Sequence, residues 1–112
     1  MALGLTTAGV QVGAAAIAAD ITKLRLHTGA TADGTTFTTT AADKTVTCTA
    51  TGGVVTVPST AFTGGAANGP CTHVSVWAGT TYRGTYALTG DTTFNAAGEY
   101  TVTGITITGS AT

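Results

Sequence analysis

Lys44-Thr-Val-Thr-Cys-Thr-Ala-Thr51 is followed at once by Gly52-Gly53 and then by Val54-Val-Thr-Val57. Threonine takes every second place in the first run, and Val46, Cys48 and Ala50 take the places between. A period of two belongs to a pleated strand, whose successive side chains point to opposite faces. The run therefore reads as a strand with Val46, Cys48 and Ala50 inward and its threonines outward. Two adjacent glycines allow the positive φ of a tight hairpin turn, so the chain should reverse there. The return strand should end at Pro58, which has no N–H to give to a ladder.

The same alternation extends in both directions. From Ile21 to His27, Leu24 and Leu26 share one face while Lys23, Arg25 and His27 share the other. Segments 71–78 and 81–88 read as two strands of a hairpin around Gly79-Thr80. Tyr82, Tyr86 and Leu88 fall in one phase there, which is how core-facing residues look. Residues 63–70, rich in Gly and closed by Pro70, read as a loop. In the last strand, 99–108, Tyr100 and Val102 hold one phase and Ile105 and Ile107 the other, a slip that a β-bulge at Gly104 would supply. Short strands with turns at this spacing predict a mainly β chain: an antiparallel β-sandwich of about seven or eight strands. Its expected core is Leu24, Leu26, Val46, Cys48, Val74, Val76, Tyr86, Leu88, Tyr100 and Ile107.

Upstream the pattern changes to helical. A helix is expected from Thr6 or Thr7, either of which can cap it, to about Ala19. Ala14, Ala15, Ala16, Ala18 and Ala19 favour it, while Gly9 and Gly13 each cost about 1 kcal/mol relative to Ala. So weak a helix must lean on something. The chain thus divides into an N-terminal helical segment, 1–20, and a β-sandwich, 21–112, within a single domain. Ala8, Val12, Ala15, Ile17 and Ala19 offer a docking surface with few charges to desolvate, suited to a partner protein.

Of 112 residues, 29 are Thr, 20 Ala and 16 Gly, and charged residues make up only 8%. Four cations stand against five acids, so no basic stripe exists to neutralise phosphates and nucleic acid is not an expected partner. No apolar run has the length of a membrane span. The stretch from Gly9 to Ala19 ends in small residues as a secretory signal does, but no Lys or Arg precedes Lys23, which argues against one. Cys48 and Cys71 can form one disulfide, and a pair of buried thiols is the favoured reading for an intracellular origin.

Chemistry is sparse. His27 and His73 are the only side chains whose ordinary titration lies near neutrality, and a Cys71–His73 pair has no carboxylate nearby in sequence to orient the imidazole. Asp20, Asp33, Asp43, Asp91 and Glu99 fall beside turns and read as solvated. Two Cys and two His lack metal-ligand spacing. No catalytic residue, cofactor or metal is expected, and the chain does not read as an enzyme. Trp77, with Tyr82, Tyr86 and Tyr100, has two readings: an aromatic core, which the shared phase of Tyr82, Tyr86 and Leu88 favours, or a candidate exposed aromatic surface, centred on Trp77, for sugars or a partner.

Leu24-Arg-Leu-His-Thr-Gly29 and Thr72-His-Val-Ser-Val-Trp77 resemble segments of a family of small virion proteins of tailed bacteriophages, notably of actinobacterial hosts. Members of that family carry an Ala-rich helix, an LHTG strand, a VPA segment, a THVGLW strand, a Tyr-rich hairpin and a final YTVT strand. Here Val57-Pro58-Ser59, Gly84-Thr-Tyr-Ala-Leu88 and Tyr100-Thr-Val-Thr-Gly-Ile-Thr-Ile-Thr108 fill those places in order. Ala30-Thr31-Ala32 stands where an Asp-Pro-Gly commonly follows, so the first loop departs from the pattern. Such proteins are labelled head decoration, minor tail or fibre-like proteins. The resemblance implies a virion structural protein: a capsid decoration protein first, with a tail protein that could bind carbohydrate as the alternative. Its implied partners are the major capsid or tail protein and further copies of itself; its implied location is the virion.

Overall fold

The computed structural model describes residues 7–108, with backbone alone at Thr7 and Thr108. One helix, α1 (Thr7–Asp20), precedes nine strands among the described residues: β1 (Lys23–His27), β2 (Lys44–Thr45), β3 (Thr49–Thr51), β4 (Val54–Val57), β5 (Thr60–Phe62), β6 (His73–Ala78), β7 (Thr81–Ala87), β8 (Tyr100–Val102) and β9 (Ile105–Thr108). The expected Thr6 or Thr7 cap lies outside the described side chains. All strand pairs are antiparallel and form sheets of order β2-β1-β6-β7, β3-β4-β9 and β5-β8. Leu24, Leu26, Val74 and Val76 of the first sheet share one core with Val55 and Val57 of the second and with Phe62, Tyr100 and Val102 of the third. The chain is a mainly β, sandwich-like fold led by a helix.

Local turn chemistry sets the hairpins where expected. Gly52 and Gly53 have φ of 59° and 81°, the two positive values a tight hairpin needs. Two other expectations are corrected. Segment 44–51 keeps its alternating burial, but Val46 to Cys48 carry the chain from the first sheet to the second, so one expected strand is two. The phase slip near Gly104 is likewise no bulge: β8 pairs with β5 and β9 with β4, so the chain changes sheets there.

A bulge does occur in the hairpin of β6 and β7. Val76 opposes Gly84 but Trp77 opposes Tyr82, leaving Arg83 as the extra residue. Tyr82 therefore joins Trp77 on one face while Tyr86 packs against the core, which separates two tyrosines expected in one phase. Seven of the ten expected core residues are buried; Tyr86, Leu88 and Ile107 are partly so. Phe62, Phe94, Val55, Val57, Val102 and Cys71 complete the core.

Candidate functional site

The helix finds its support within its own chain. Val10 and Ala14, one turn apart, are buried against the β3–β4 hairpin. Gln11, an interruption in the apolar run, is what fastens it there. Its Nε2 donates to the Ala50 carbonyl at 3.1 Å, and its Oε1 accepts from the Gly53 N–H at 2.7 Å. A side chain at Gly53 would meet Val10 Cγ1 at 2.7 Å, so the turn glycine also makes room for the helix. The expected docking residues Ala8, Val12, Ala15, Ile17 and Ala19 are all exposed, Val12 at 71%. Ala8, Val12, Ala15 and Ala19 follow i, i+4, i+7, i+11 spacing and form one outward stripe, whereas Ile17, 42% exposed, lies on the opposite side of the helix axis, beside Val10, and is not part of it. From residue 7 to 19 the helix has no charge; Asp20 ends it and pairs with Arg83, Nε to Oδ2 at 2.8 Å.

Trp77 corrects the second site expectation: it is 6% exposed and offers no aromatic surface. Its strand face does not meet water, because residues 28–43 fold across it as a roof. Arg25 holds that roof with Nε and Nη2 on the two oxygens of Asp43, each at 2.9 Å, and Nη1 on the Gly34 carbonyl at 2.8 Å. Lys23 Nζ reaches Asp43 Oδ2 at 3.4 Å. The Lys23 ammonium and the Arg25 guanidinium lie 4.8 and 4.5 Å from the Trp77 ring centre, and Tyr82 meets that ring edge-on at 5.6 Å. Asp43 is thus no solvated turn residue. The Arg25 hydrogen bonds hold its carboxyl below the usual carboxylate range, and Asp43 in turn raises the guanidinium.

Beneath the roof lies a polar chain that the sequence did not disclose. His27 Nδ1 is 3.0 Å from the Thr36 carbonyl, which can only accept, so Nδ1 carries the proton. Nε2 must then accept from the Ser75 hydroxyl at 2.7 Å, and Trp77 Nε1 donates to the same Ser75 Oγ, also at 2.7 Å. Burial pushes the imidazole below its ordinary range, against the smaller opposing effect of the Thr36 carbonyl. Ser75 and His27 resemble a nucleophile and its base, yet both are fully buried and Ser75 Oγ also receives Trp77. That arrangement satisfies buried polar groups and leaves Ser75 no access for a substrate. A shared strand face for His27, Ser75 and Trp77, all groups needing partners when buried, is the one hint of a cover that the sequence holds.

His73 Nδ1 contacts the Thr72 hydroxyl at 2.8 Å, and Cys71 is a free, buried thiol pushed up to about 12, first by burial and then by Asp91. Cys48 is also free and buried, and burial raises it too. Both thiols should resist a disulfide-exchange reagent at pH 8 in the folded protein and react together on denaturation, as absorbance of the released thiolate would show. Rapid reaction of either one in native buffer would contradict its burial.

A groove of about 450 Å³ opens between β5, β8 and the 89–99 loop. Asp91, Glu99 and Asn95 line it with Thr63 and Thr101. Asp91 Oδ1 takes the Thr93 N–H at 3.1 Å, and Glu99 Oε1 takes Asn95 Nδ2 at 3.2 Å, so the carboxylates brace their own loop. Among the described residues no group of three or more His, Cys, Asp or Glu is placed to hold a metal ion. No protein-family model matches the chain, and no curated protein or solved structure matches it.

Proposed function

We propose that the chain is a structural component of a tailed-phage virion, a decoration protein docked on the capsid exterior through the outward stripe of α1. The observation that carries this reading is a charge-free, exposed stripe on a helix whose other side is fixed to its own sheet. Docking there desolvates no ion and orders no new segment, which removes two of the usual costs of association. The family resemblance supplies the virion; the rigidly seated helix supplies the contact. The mechanism is mechanical: many copies, each bridging neighbouring shell subunits, add contacts that must break before the shell opens. In this reading the chain works as a lattice-bound subunit or an oligomer, with no cofactor and no nucleic-acid or membrane partner.

The tail reading loses its aromatic platform now that Trp77 lies under the roof. A glycan contact at the tail would have to use another face, such as the groove beside Asp91 and Glu99.

Val12→Glu and Ala15→Glu place charge on the stripe without touching Val10, Ala14 or Gln11. They should change folding stability by no more than about 0.5 kcal/mol, as exposed substitutions do, yet remove the protein from purified particles by gel or mass analysis. They test docking better than deleting residues 1–19, which would also strip Val10 and Gln11 from the hairpin. Normal incorporation of both variants would move the contact elsewhere, for instance to the Gly64–Gly69 loop. Particles lacking the protein should assemble but release DNA at lower temperature. Unchanged shell stability with lost adsorption to the host would replace the capsid reading with the tail one.

A further inference from the structure

The roof is tied to the sandwich by polar contacts, those of Arg25 with Asp43 and Gly34, of Thr85 with the Thr31 carbonyl and of Thr40 with the Gly64 carbonyl, more than by packing. It joins β1 to β2 through sixteen residues, 28–43, with a single bridging pair, His27 to Thr38, in place of a ladder. It gives the core only Ala41, whereas Leu24, Leu26, Val74 and Val76 face away from it. Segments with few buried apolar contacts open at the lowest cost. Phe37, near its middle, is held at φ 51° although it is not glycine, and the residue is 57% exposed, so closure maintains a strained backbone with little burial to offset it.

We propose that His27 is an acid-operated latch: its protonation frees the 28–43 roof and uncovers the Trp77 face while the sandwich stays folded. In the closed state Nε2 accepts from Ser75; a second ring proton would force Ser75 Oγ to accept from both His27 and Trp77. Ser75 would have to turn its own proton to the Arg25 carbonyl, 3.5 Å away. The new charge would also meet poor company. On β1 the neighbouring Arg25 repels it, with Lys23 beyond; on β6 His73 stands directly opposite across the ladder; β7 places Ala87 and Thr85 there, neither charged. From the roof Asp43 attracts it, but that carboxylate is already shared by Arg25 and Lys23, and Asp33 is exposed and bonded to Thr31 and Thr35. Opening the roof returns the imidazole to water.

The sign follows from proton counting. The closed form binds fewer protons at His27 than the open form, so acid favours opening. From the ordinary imidazole value of about 6.5 downward, the open-to-closed ratio rises by up to tenfold per pH unit, at most roughly 25-fold between pH 7 and pH 5. Asp43, held below the usual carboxylate range when the roof is closed, favours opening too, but only as pH nears the ordinary carboxylate value of about 3.9, below that interval.

Trp77 is the chain's one tryptophan, so its fluorescence reads the roof directly. In the full chain, titrated from pH 7.5 to 4.5, emission should shift to longer wavelength and acrylamide quenching should rise while the far-ultraviolet β signal holds. His27→Gln should flatten that response, and His73→Gln should leave it in place. Should His27→Gln fail to fold, the imidazole proton resonances of the unsubstituted protein serve instead: the His27 titration must coincide with the fluorescence change. Fluorescence and circular dichroism lost together would show global unfolding and overturn the latch. Flat fluorescence down to pH 4.5, or a response that follows His73, would overturn it equally.

Discussion

Leu26→Ala is expected to lower the unfolding free energy by about 2–5 kcal/mol. Leu26 is fully buried on β1, one of the two inner strands of the largest sheet, opposite Val74. The site has little freedom to collapse around a cavity. β1 is hydrogen-bonded to β2 on one side and to β6 on the other, and the roof lies across its far face. Urea unfolding should show a lower midpoint with an unchanged slope, the mark of lost stability without a change in exposed surface. Against the roughly 5–15 kcal/mol of a whole domain, such a loss is severe. A change below about 0.5 kcal/mol, typical of surface sites, would mean that Leu26 does not face the core.

Gly34→Ala should also be damaging, up to the cost of releasing the roof, for a different reason. Gly34 has φ 77°, and a Cβ there would overlap the Trp77 ring and meet Tyr82 Cδ1 at 2.7 Å. The left-handed backbone costs a side-chain-bearing residue about 1–2 kcal/mol, and overpacking adds about 1–3 kcal/mol. Gly90 separates the two effects, since it shares φ 77° but has no neighbouring atom within 4 Å of the place a methyl group would take. Gly90→Ala should therefore show the backbone cost alone. The difference between the two variants measures how tightly Trp77 is wedged, and equal losses would show that its ring moves aside freely. Because the roof can detach before the sandwich fails, Trp77 emission in Gly34→Ala should also shift to longer wavelength under native conditions.

What can be read from the chain is local. Gly52-Gly53 and Gly79-Thr80 announce their hairpins because the turn residues themselves carry the needed φ. Val46 and Cys48 show their inward faces because a period of two survives even where a strand breaks. Partner choice is not legible: nothing in 44–51 or 99–108 tells which sheet each half joins. Three-residue β5 is too short to leave a pattern, and the extra residue at Arg83 disguises the opposite faces of Tyr82 and Tyr86. The outward face of α1 is legible in its small residues; its inward anchor is not, since Gln11 reads as polar until Ala50 and Gly53 are beside it. The roof is least accessible. A threonine-rich stretch without periodicity gives no sign of the surface it covers, so the sequence leaves Trp77 between core and exposed surface and places His27 only on the polar face shared with Lys23 and Arg25.

The pairing of β4 bears on the order in which the chain can become native. β4 takes β3, its immediate neighbour in sequence, on one edge and β9, about fifty residues later, on the other. During synthesis α1 and the β3–β4 hairpin can meet early, because everything they need lies within the first half of the chain. The slot beside Val55 and Val57 then stays empty until Ile105 and Ile107 have left the ribosome. For that interval β4 is an apolar strand with an open row of backbone donors and acceptors, the kind of edge that invites a neighbouring nascent chain. The closing residues of the fold thus act as its chaperone, and translation that stalls before residue 105 should yield aggregate in preference to a looser monomer.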